Sequence, residues 1–171
     1  MTALALRLKL RCAKPWCCAL RRAMLGAAAA WLVVTSQPAQ AAPKCTITAT
    51  AVTFGRYDVF SSPATPNDNG VGSLEIRCIG GGDRTFPVTL STGRSNIYAS
   101  RVMSSGANLL TYNLYTSAAR TVVWGDGTGG SSAVNVSRNS TTRLNVFGRI
   151  PGGQDAAVGN YSDFITATVT F

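Results

Sequence analysis

Side chains that carry chemistry are sparse in this 171-residue chain. It has no histidine, which excludes a Ser-His-Asp or Cys-His nucleophile and any histidine metal ligand. Five carboxylates could in principle supply a glycosidase acid pair, but no spacing signature accompanies Asp58, Glu75, Asp126, Asp155 and Asp163. The GDGTG run at 125–129 holds a single carboxylate, whereas Ca²⁺ binds about six to eight oxygens. We therefore expect a non-enzymatic protein with no cofactor and no metal.

The basic charge of the chain is concentrated at its N-terminus. Sixteen Lys and Arg oppose seven Asp and Glu, a net charge of +9, and no acidic residue precedes Asp58. Six of the basic residues lie before residue 23, an apolar run follows at 23–34, and Ala39-Gln40-Ala41 comes next. This order predicts a secretory signal peptide at 1–41, export through the Sec pathway and a mature domain at 42–171. The apolar run is shorter than the ~20 residues of a transmembrane helix.

Two alternatives to this processing stay open. Arg21-Arg22 could belong to a twin-arginine signal, although the surrounding residues fit one poorly. Cleavage near Ala30 would leave a longer N-terminal arm, which Pro38 would interrupt. Cys17-Cys18 does not follow a lipobox-like sequence, so we do not expect a lipoprotein.

Cleavage after Ala41 changes both the charge and the cysteine count. The six basic residues of the leader subtract from sixteen to leave ten against seven acidic ones, a net charge of +3. These ten are spread singly along the chain, so the sequence gives no support for nucleic-acid binding. The mature domain retains Cys45 and Cys78, and an even count in an exported protein predicts one disulfide. Two free buried thiols are the alternative.

Apolar residues alternate with threonine and other polar residues in seven segments, which predicts seven strands. The segments are 45–54, 74–78, 86–90, 110–114, 134–136, 144–150 and 165–171. The alternation slips by one between Ala51 and Val52, which indicates a bulge or strand break. Pro87 indicates an edge or irregularity in its strand, and the composition of 61–72 predicts a loop. The predicted fold is an all-β, immunoglobulin-like β-sandwich.

Six short motifs occur in a fixed order along the mature domain. They are FGRYD at 54–58, RVM at 101–103, LTYNLY at 110–115, WGDG at 124–127, FGRIP at 147–151 and GNYSD at 159–163. Together with Cys45 and Cys78, they resemble the spore coat protein U domain family. The resemblance covers residues 45–171. That family includes the subunits of archaic chaperone–usher pili.

The resemblance implies an incomplete sandwich that lacks its last strand and carries an apolar groove beside its C-terminal strand. In this sequence the implied groove residues are Ile165, Ala167, Val169 and Phe171. A periplasmic chaperone fills such a groove first. At the outer-membrane usher, the N-terminal extension of another pilus subunit replaces the chaperone by strand addition. The implied location is the periplasm and then a cell-surface pilus or coat, with a role in adhesion or biofilm formation.

The segment before the first mature cysteine departs from the pattern of a polymerising subunit. Only residues 42–44 precede Cys45 after cleavage, and three residues span at most about 11 Å. A ten-residue donor strand spans about 33 Å. We therefore expect a subunit that accepts a strand without donating one, at a pilus tip or end. The loops at 61–72 and 125–132 would then face outward.

Two other functions remain as alternatives. A self-associating secreted coat or surface-layer protein of the same family would not need strand exchange. A secreted enzyme or small-ligand lectin would need a polar pocket with convergent carboxylates. Five aromatic residues could line a sugar site, although core and groove packing is the role expected for most of them. They are Tyr57, Tyr112, Tyr115, Trp124 and Tyr161.

Overall fold

The computed structural model describes residues 2–3, 5–8, 44–59, 67–79, 85–137 and 140–170. Two short strands come first, β1 (Thr2–Ala3) and β2 (Ala5–Leu8). Eight more follow: β3 (Lys44–Gly55), β4 (Asn67–Ile79), β5 (Thr85–Leu90), β6 (Arg101–Ser105), β7 (Asn108–Tyr115), β8 (Val134–Ser137), β9 (Thr141–Ile150) and β10 (Phe164–Val169). Within these ranges the only helical element is a 3-10 turn at Gly93–Ser95. No helix in the described part of the chain is long and apolar enough to cross a membrane.

The strands form two sheets around one core. One sheet has the order β1-β3-β4-β9-β7-β6, and the other has the order β2-β10-β5-β8. The alternate apolar residues of β3, β4, β5, β7, β9 and β10 form the buried cluster between them. The prediction of an all-β, immunoglobulin-like sandwich is confirmed. Six of the seven predicted segments fall within strands, and the seventh, 165–171, coincides with β10 as far as Val169. β6 is an eighth strand of the predicted mature domain that the alternation did not reveal.

The loop predicted at 61–72 is wrong in its second half. Residues 67–72 begin β4, where Val71 lies opposite Phe147 of β9. Gly70 has a packing role, because a Cβ atom there would lie 2.5 Å from Cε1 of Phe54. A composition rich in Asn and Gly suggested a turn, whereas here glycine allows a ring to approach the strand. Residues 61–66 lie outside the described residues.

Two predicted irregularities are located by the pairing of the strands. The register of β3 against β4 shifts between Thr50 and Thr53, where the sequence alternation slips. Pro87 does not lie on an edge strand, because β5 pairs with β10 on one side and β8 on the other. The registered pairs with β10 end at Val88, and the Pro87 carbonyl still accepts the Thr170 N–H at 3.3 Å. The proline therefore stands where this ladder ends.

Candidate functional site

The two cysteines of the predicted mature domain are joined. Cys45 of β3 and Cys78 of β4 lie opposite each other in register, with their Cα atoms 4.1 Å apart, and they form a disulfide. Both side chains are buried in the core. The predicted pairing is confirmed, and it fixes the first two strands of the predicted mature domain to each other.

The inner face of β10 is apolar and completely covered. Ile165, Ala167 and Val169, three of the four predicted groove residues, are each 0% exposed. Phe171, the fourth, lies outside the described residues. On one edge β10 is antiparallel to β5, with Ala167 opposite Leu90.

The other edge of β10 pairs with the N-terminal segment of the chain. Residues 5–8 run parallel to it, with Leu6 opposite Ile165 and Leu8 opposite Ala167. Just before them, β1 pairs antiparallel with β3, so this one N-terminal segment supplies an edge strand to each sheet. Within the described ranges no other strand pairs with this edge of β10. Because residues 5–8 belong to the predicted signal peptide, a groove open at this edge is expected only in a chain without that segment.

The backbone of β10 points alternate N–H groups to its two edges, as in any strand. The Thr166 carbonyl accepts the Ser91 N–H at 2.9 Å, and the Thr166 N–H donates to Ser91 Oγ at 2.9 Å, both on the β5 side. The N–H groups of Ile165, Ala167 and Val169 therefore face the edge that residues 5–8 occupy.

A buried arginine holds the segments around the start of β10. Arg101 is 0% exposed, and its Nε and Nη2 donate to the Ser91 carbonyl at 3.0 and 2.8 Å. Nη2 also donates to the Trp124 carbonyl at 2.7 Å, and Nη1 donates to Asn113 Oδ1 at 2.6 Å. Burial lowers the pKa of Arg101, while the fields of Tyr112 and other nearby groups oppose that shift. Since Ser91 bonds to Thr166, these contacts position β10 from its β5 side.

A buried tyrosine–carboxylate pair stands directly before β10. Tyr112 Oη donates to Asp163 Oδ2 at 2.8 Å, and the Phe164 N–H donates to Asp163 Oδ1 at 2.8 Å. Burial, with a further contribution from Asp163, raises the pKa of Tyr112 well above its ordinary value. The phenol therefore stays protonated and remains a donor to the carboxylate. Sequence reasoning assigned no role to Arg101 and considered Tyr112 and Asp163 separately, as an aromatic and a carboxylate candidate, without pairing them, although all three residues lie within the quoted motifs.

The structure gives the candidate carboxylates no shared catalytic centre. A cleft of about 1110 Å³ is lined by residues 55–59, Leu110 and residues 156–161, and Asp58 is its one carboxylate. Asp126 accepts the N–H and hydroxyl of Thr128 at 2.9 and 2.7 Å, which is a turn contact that lowers its pKa. Among the described residues there is no group of three or more potential metal ligands.

The aromatic candidates divide between core and surface. Tyr112, Trp124 and Tyr161 are buried in the core, and Trp124 Nε1 donates to the Val88 carbonyl at 2.9 Å. Tyr57 Oη instead bridges a loop, donating to the Pro151 carbonyl at 3.1 Å and accepting the Gln154 N–H at 2.7 Å. Tyr115 is half-buried beside Arg149. Tyr57 and Tyr161 both border the cleft described above, whereas Tyr112, Tyr115 and Trp124 do not, so the five residues do not line one common sugar site.

The fold and site define a disulfide-linked β-sandwich domain whose last strand pairs with the N-terminal segment of its own chain. The chain belongs to the Spore Coat Protein U domain family, whose sequence model matches residues 29–168. The resemblance inferred from the six motifs is confirmed. The chain is also 31% identical over 127 residues to "Protein U" of Myxococcus xanthus, covering 69% of this chain and 70% of that protein.

A more distant likeness is to a solved structure, the CsuC–CsuE chaperone–tip adhesion subunit pre-assembly complex from archaic chaperone–usher Csu pili of Acinetobacter baumannii. The identity is 22% and the TM-score is 0.47. The match covers 76% of this chain but only 40% of that one.

Proposed function

We propose that this protein is an exported, non-enzymatic subunit of an archaic chaperone–usher pilus, and that it accepts a donor strand along β10. The observation that carries the proposal is the pairing of residues 5–8 with the outer edge of that strand. Cleavage after Ala41 removes these residues and leaves the N–H groups of Ile165, Ala167 and Val169 without a strand partner. An unpaired edge beside an apolar core takes up an added strand, and otherwise aggregates.

The gain from filling this edge is large enough to drive assembly. A donor that buries four or five apolar side chains at roughly 1.5–3 kcal/mol each gains on the order of 10 kcal/mol before ordering costs. Main-chain hydrogen bonds add about 0.5–1.5 kcal/mol each. The partners in this scheme are a periplasmic chaperone, the outer-membrane usher and the other pilus subunits.

We place the subunit at the end of a fibre. After the predicted cleavage only residues 42–44 precede Cys45, and β3 already begins at Lys44. So short a segment cannot reach along another subunit's groove. A subunit that accepts a strand but donates none ends the fibre, and its exposed position there suits adhesion or biofilm formation.

A self-associating coat or surface-layer protein is the second candidate. Its support is the family of this chain and its similarity to Protein U of Myxococcus xanthus. The two candidates differ in one requirement: the pilus subunit needs a chaperone to stay soluble in the periplasm, whereas the coat protein assembles without one.

Co-expression of the full chain with and without its cognate chaperone separates these candidates. The pilus proposal predicts a soluble complex only with the chaperone, and a donor peptide from a neighbouring subunit should displace the chaperone. Gel electrophoresis without boiling should then show no ladder from this subunit alone. A ladder would refute the end position. Soluble or self-assembled protein without the chaperone would refute the pilus subunit and favour the coat protein.

A further inference from the structure

The outer side of the six-stranded sheet, which faces away from the core, carries most of the described basic side chains. We name this surface the basic face, and it contains Lys44, Arg77, Arg120, Arg143 and Arg149. On β4 and β9 these residues occupy the positions that alternate with core residues such as Ile76 and Val146. Among the described side chains, Glu75 is the one carboxylate on this face.

The register of the strands creates this grouping from residues that are distant in sequence. Arg77 lies opposite Thr141, and Arg143 lies opposite Glu75, so the two arginines are diagonal neighbours at about 7–8 Å. Arg143 and Arg149 are six residues apart along β9, a distance of about 20 Å. The positive charge therefore extends over more area than one small anion can cover.

The guanidinium groups of this face differ in the contacts that they make within the described chain. Arg77 and Arg143 are exposed, and their side chains make no hydrogen bond or ion pair with the rest of the described chain. Arg149 lies 5.9 Å from the centre of the Tyr115 ring, and its Nε is buried without a hydrogen-bond partner among the described residues. Arg120 lies 5.9 Å from the centre of the Phe147 ring, and its Nε and Nη1 donate to the Gly148 and Ala118 carbonyls at 3.2 and 2.9 Å. Arg120 therefore adds positive charge to the face, while Arg77 and Arg143 provide the planar donor groups for a carboxylate or sulfate.

We propose that the basic face binds an acidic polysaccharide. Beside the arginines, the exposed hydroxyls of Thr46, Thr48 and Thr50 and the amide of Asn145 provide hydrogen-bonding groups for sugars. The remaining exposed charges of the described chain are mixed, with Arg56 and Arg94 against Asp58, Asp126 and Asp155. The face is therefore the surface that complements a negatively charged polymer.

A single-stranded nucleic acid fits this face less well. Such ligands bind largely by stacking bases on open aromatic rings. The rings on this face, Tyr115 and Phe147, are half-buried and each has a guanidinium above it. The site shares no residue with β10, so it does not depend on the proposed strand exchange.

A charge-matched pair of double variants tests the proposal. R77Q/R143Q removes two charges from the basic face, and R56Q/R94Q removes two exposed charges from other surfaces. The probes are heparin, polygalacturonate, uncharged dextran and single-stranded DNA. Binding to the exported protein is measured by calorimetry at 50 and 200 mM NaCl, with unfolding midpoints as a check on folding.

The expected result is salt-sensitive binding of heparin and polygalacturonate, and none of dextran. Two lost surface ion contacts of about 0.2–1 kcal/mol each correspond to about 2- to 30-fold weaker binding by R77Q/R143Q. The control pair should bind within twofold of the parent. Equal weakening by both pairs, undiminished binding to dextran, tighter binding of DNA than of heparin, or no polysaccharide binding at 50 mM NaCl would each overturn the proposal.

Discussion

Replacing Arg101 with methionine should destabilise the domain by about 3–5 kcal/mol, the cost typical of breaking a buried charged contact. The substitution keeps an unbranched apolar stem and removes the guanidinium. The Ser91 and Trp124 carbonyls then lose the donor that Arg101 gives them, while Asn113 Oδ1 loses one of two donors and keeps the Leu114 N–H at 2.9 Å.

The magnitude follows from those acceptors. Each of the two carbonyls left unsatisfied costs about 1–3 kcal/mol, and the lost charged hydrogen bond to Asn113 Oδ1 costs about 1.5–3 kcal/mol more, which gives roughly 4–9 kcal/mol. Methionine avoids the desolvation cost of a buried guanidinium, which is several kcal/mol, so the net effect lies at the lower end of that range. Against a typical stability of about 5–15 kcal/mol, R101M should lose a large part of the total.

Urea unfolding of the exported protein at pH 7 measures this change. R94M is the control, because Arg94 is exposed and an exposed substitution of this kind changes stability by less than about 0.5 kcal/mol. If R101M unfolded within 1 kcal/mol of the parent, Arg101 would not hold β10 and its neighbours together. The free energy of unfolding of R101K should lie between those of R101M and the parent, because an ammonium keeps the charge but cannot reproduce the planar fork of donors in a guanidinium.

Three further predictions concern stability. Reducing the Cys45–Cys78 disulfide, which closes a separation of 33 residues, should lower the free energy of unfolding by roughly 4 kcal/mol, and a change below 1 kcal/mol in denaturant titrations would contradict this. Gly70→Ala should cost about 1–3 kcal/mol because the new Cβ meets the Phe54 ring, and an unchanged unfolding midpoint would show that the ring moves away freely. Folding raises the pKa of Tyr112 above its value of about 10 in the unfolded chain. The contribution of Tyr112 to the free energy of unfolding is therefore complete below about pH 10 and declines as the pH rises further. The free energy of unfolding measured between pH 8 and 11 should fall less steeply for Y112F than for the parent. Equal slopes would contradict a raised pKa of Tyr112 in the folded protein.

The features that could be predicted from the sequence are those with a local pattern. The alternation of Leu74, Ile76 and Cys78 reports one buried side of a strand, and the structure buries all three. The slip before Val52 is equally local and marks the register shift of β3. The loop prediction at 67–72 was wrong because Gly70 lies against the Phe54 ring and Gly72 lies against Thr50 and Val52, contacts that only the folded chain creates.

Features that depend on register or burial could not be predicted from the sequence. Nothing in the local pattern distinguishes buried Arg101 from exposed Arg94, because burial of a charge depends on acceptors from distant segments. Likewise, Arg77 and Arg143 become neighbours only through the pairing of β4 with β9. The pairing of residues 5–8 with β10 had no signal in the signal-peptide pattern, which concerns cleavage and not strand position.

Amide hydrogen exchange of β10, followed by NMR on the exported protein after removal of its leader, tests strand acceptance most directly. Without a partner, the N–H groups of Ile165, Ala167 and Val169 should exchange quickly, while those of Thr166 and Thr168 stay protected by the β5 side. A donor peptide from a neighbouring subunit should slow the first three selectively. Equal protection of all five amides in the processed protein without any partner would contradict the account.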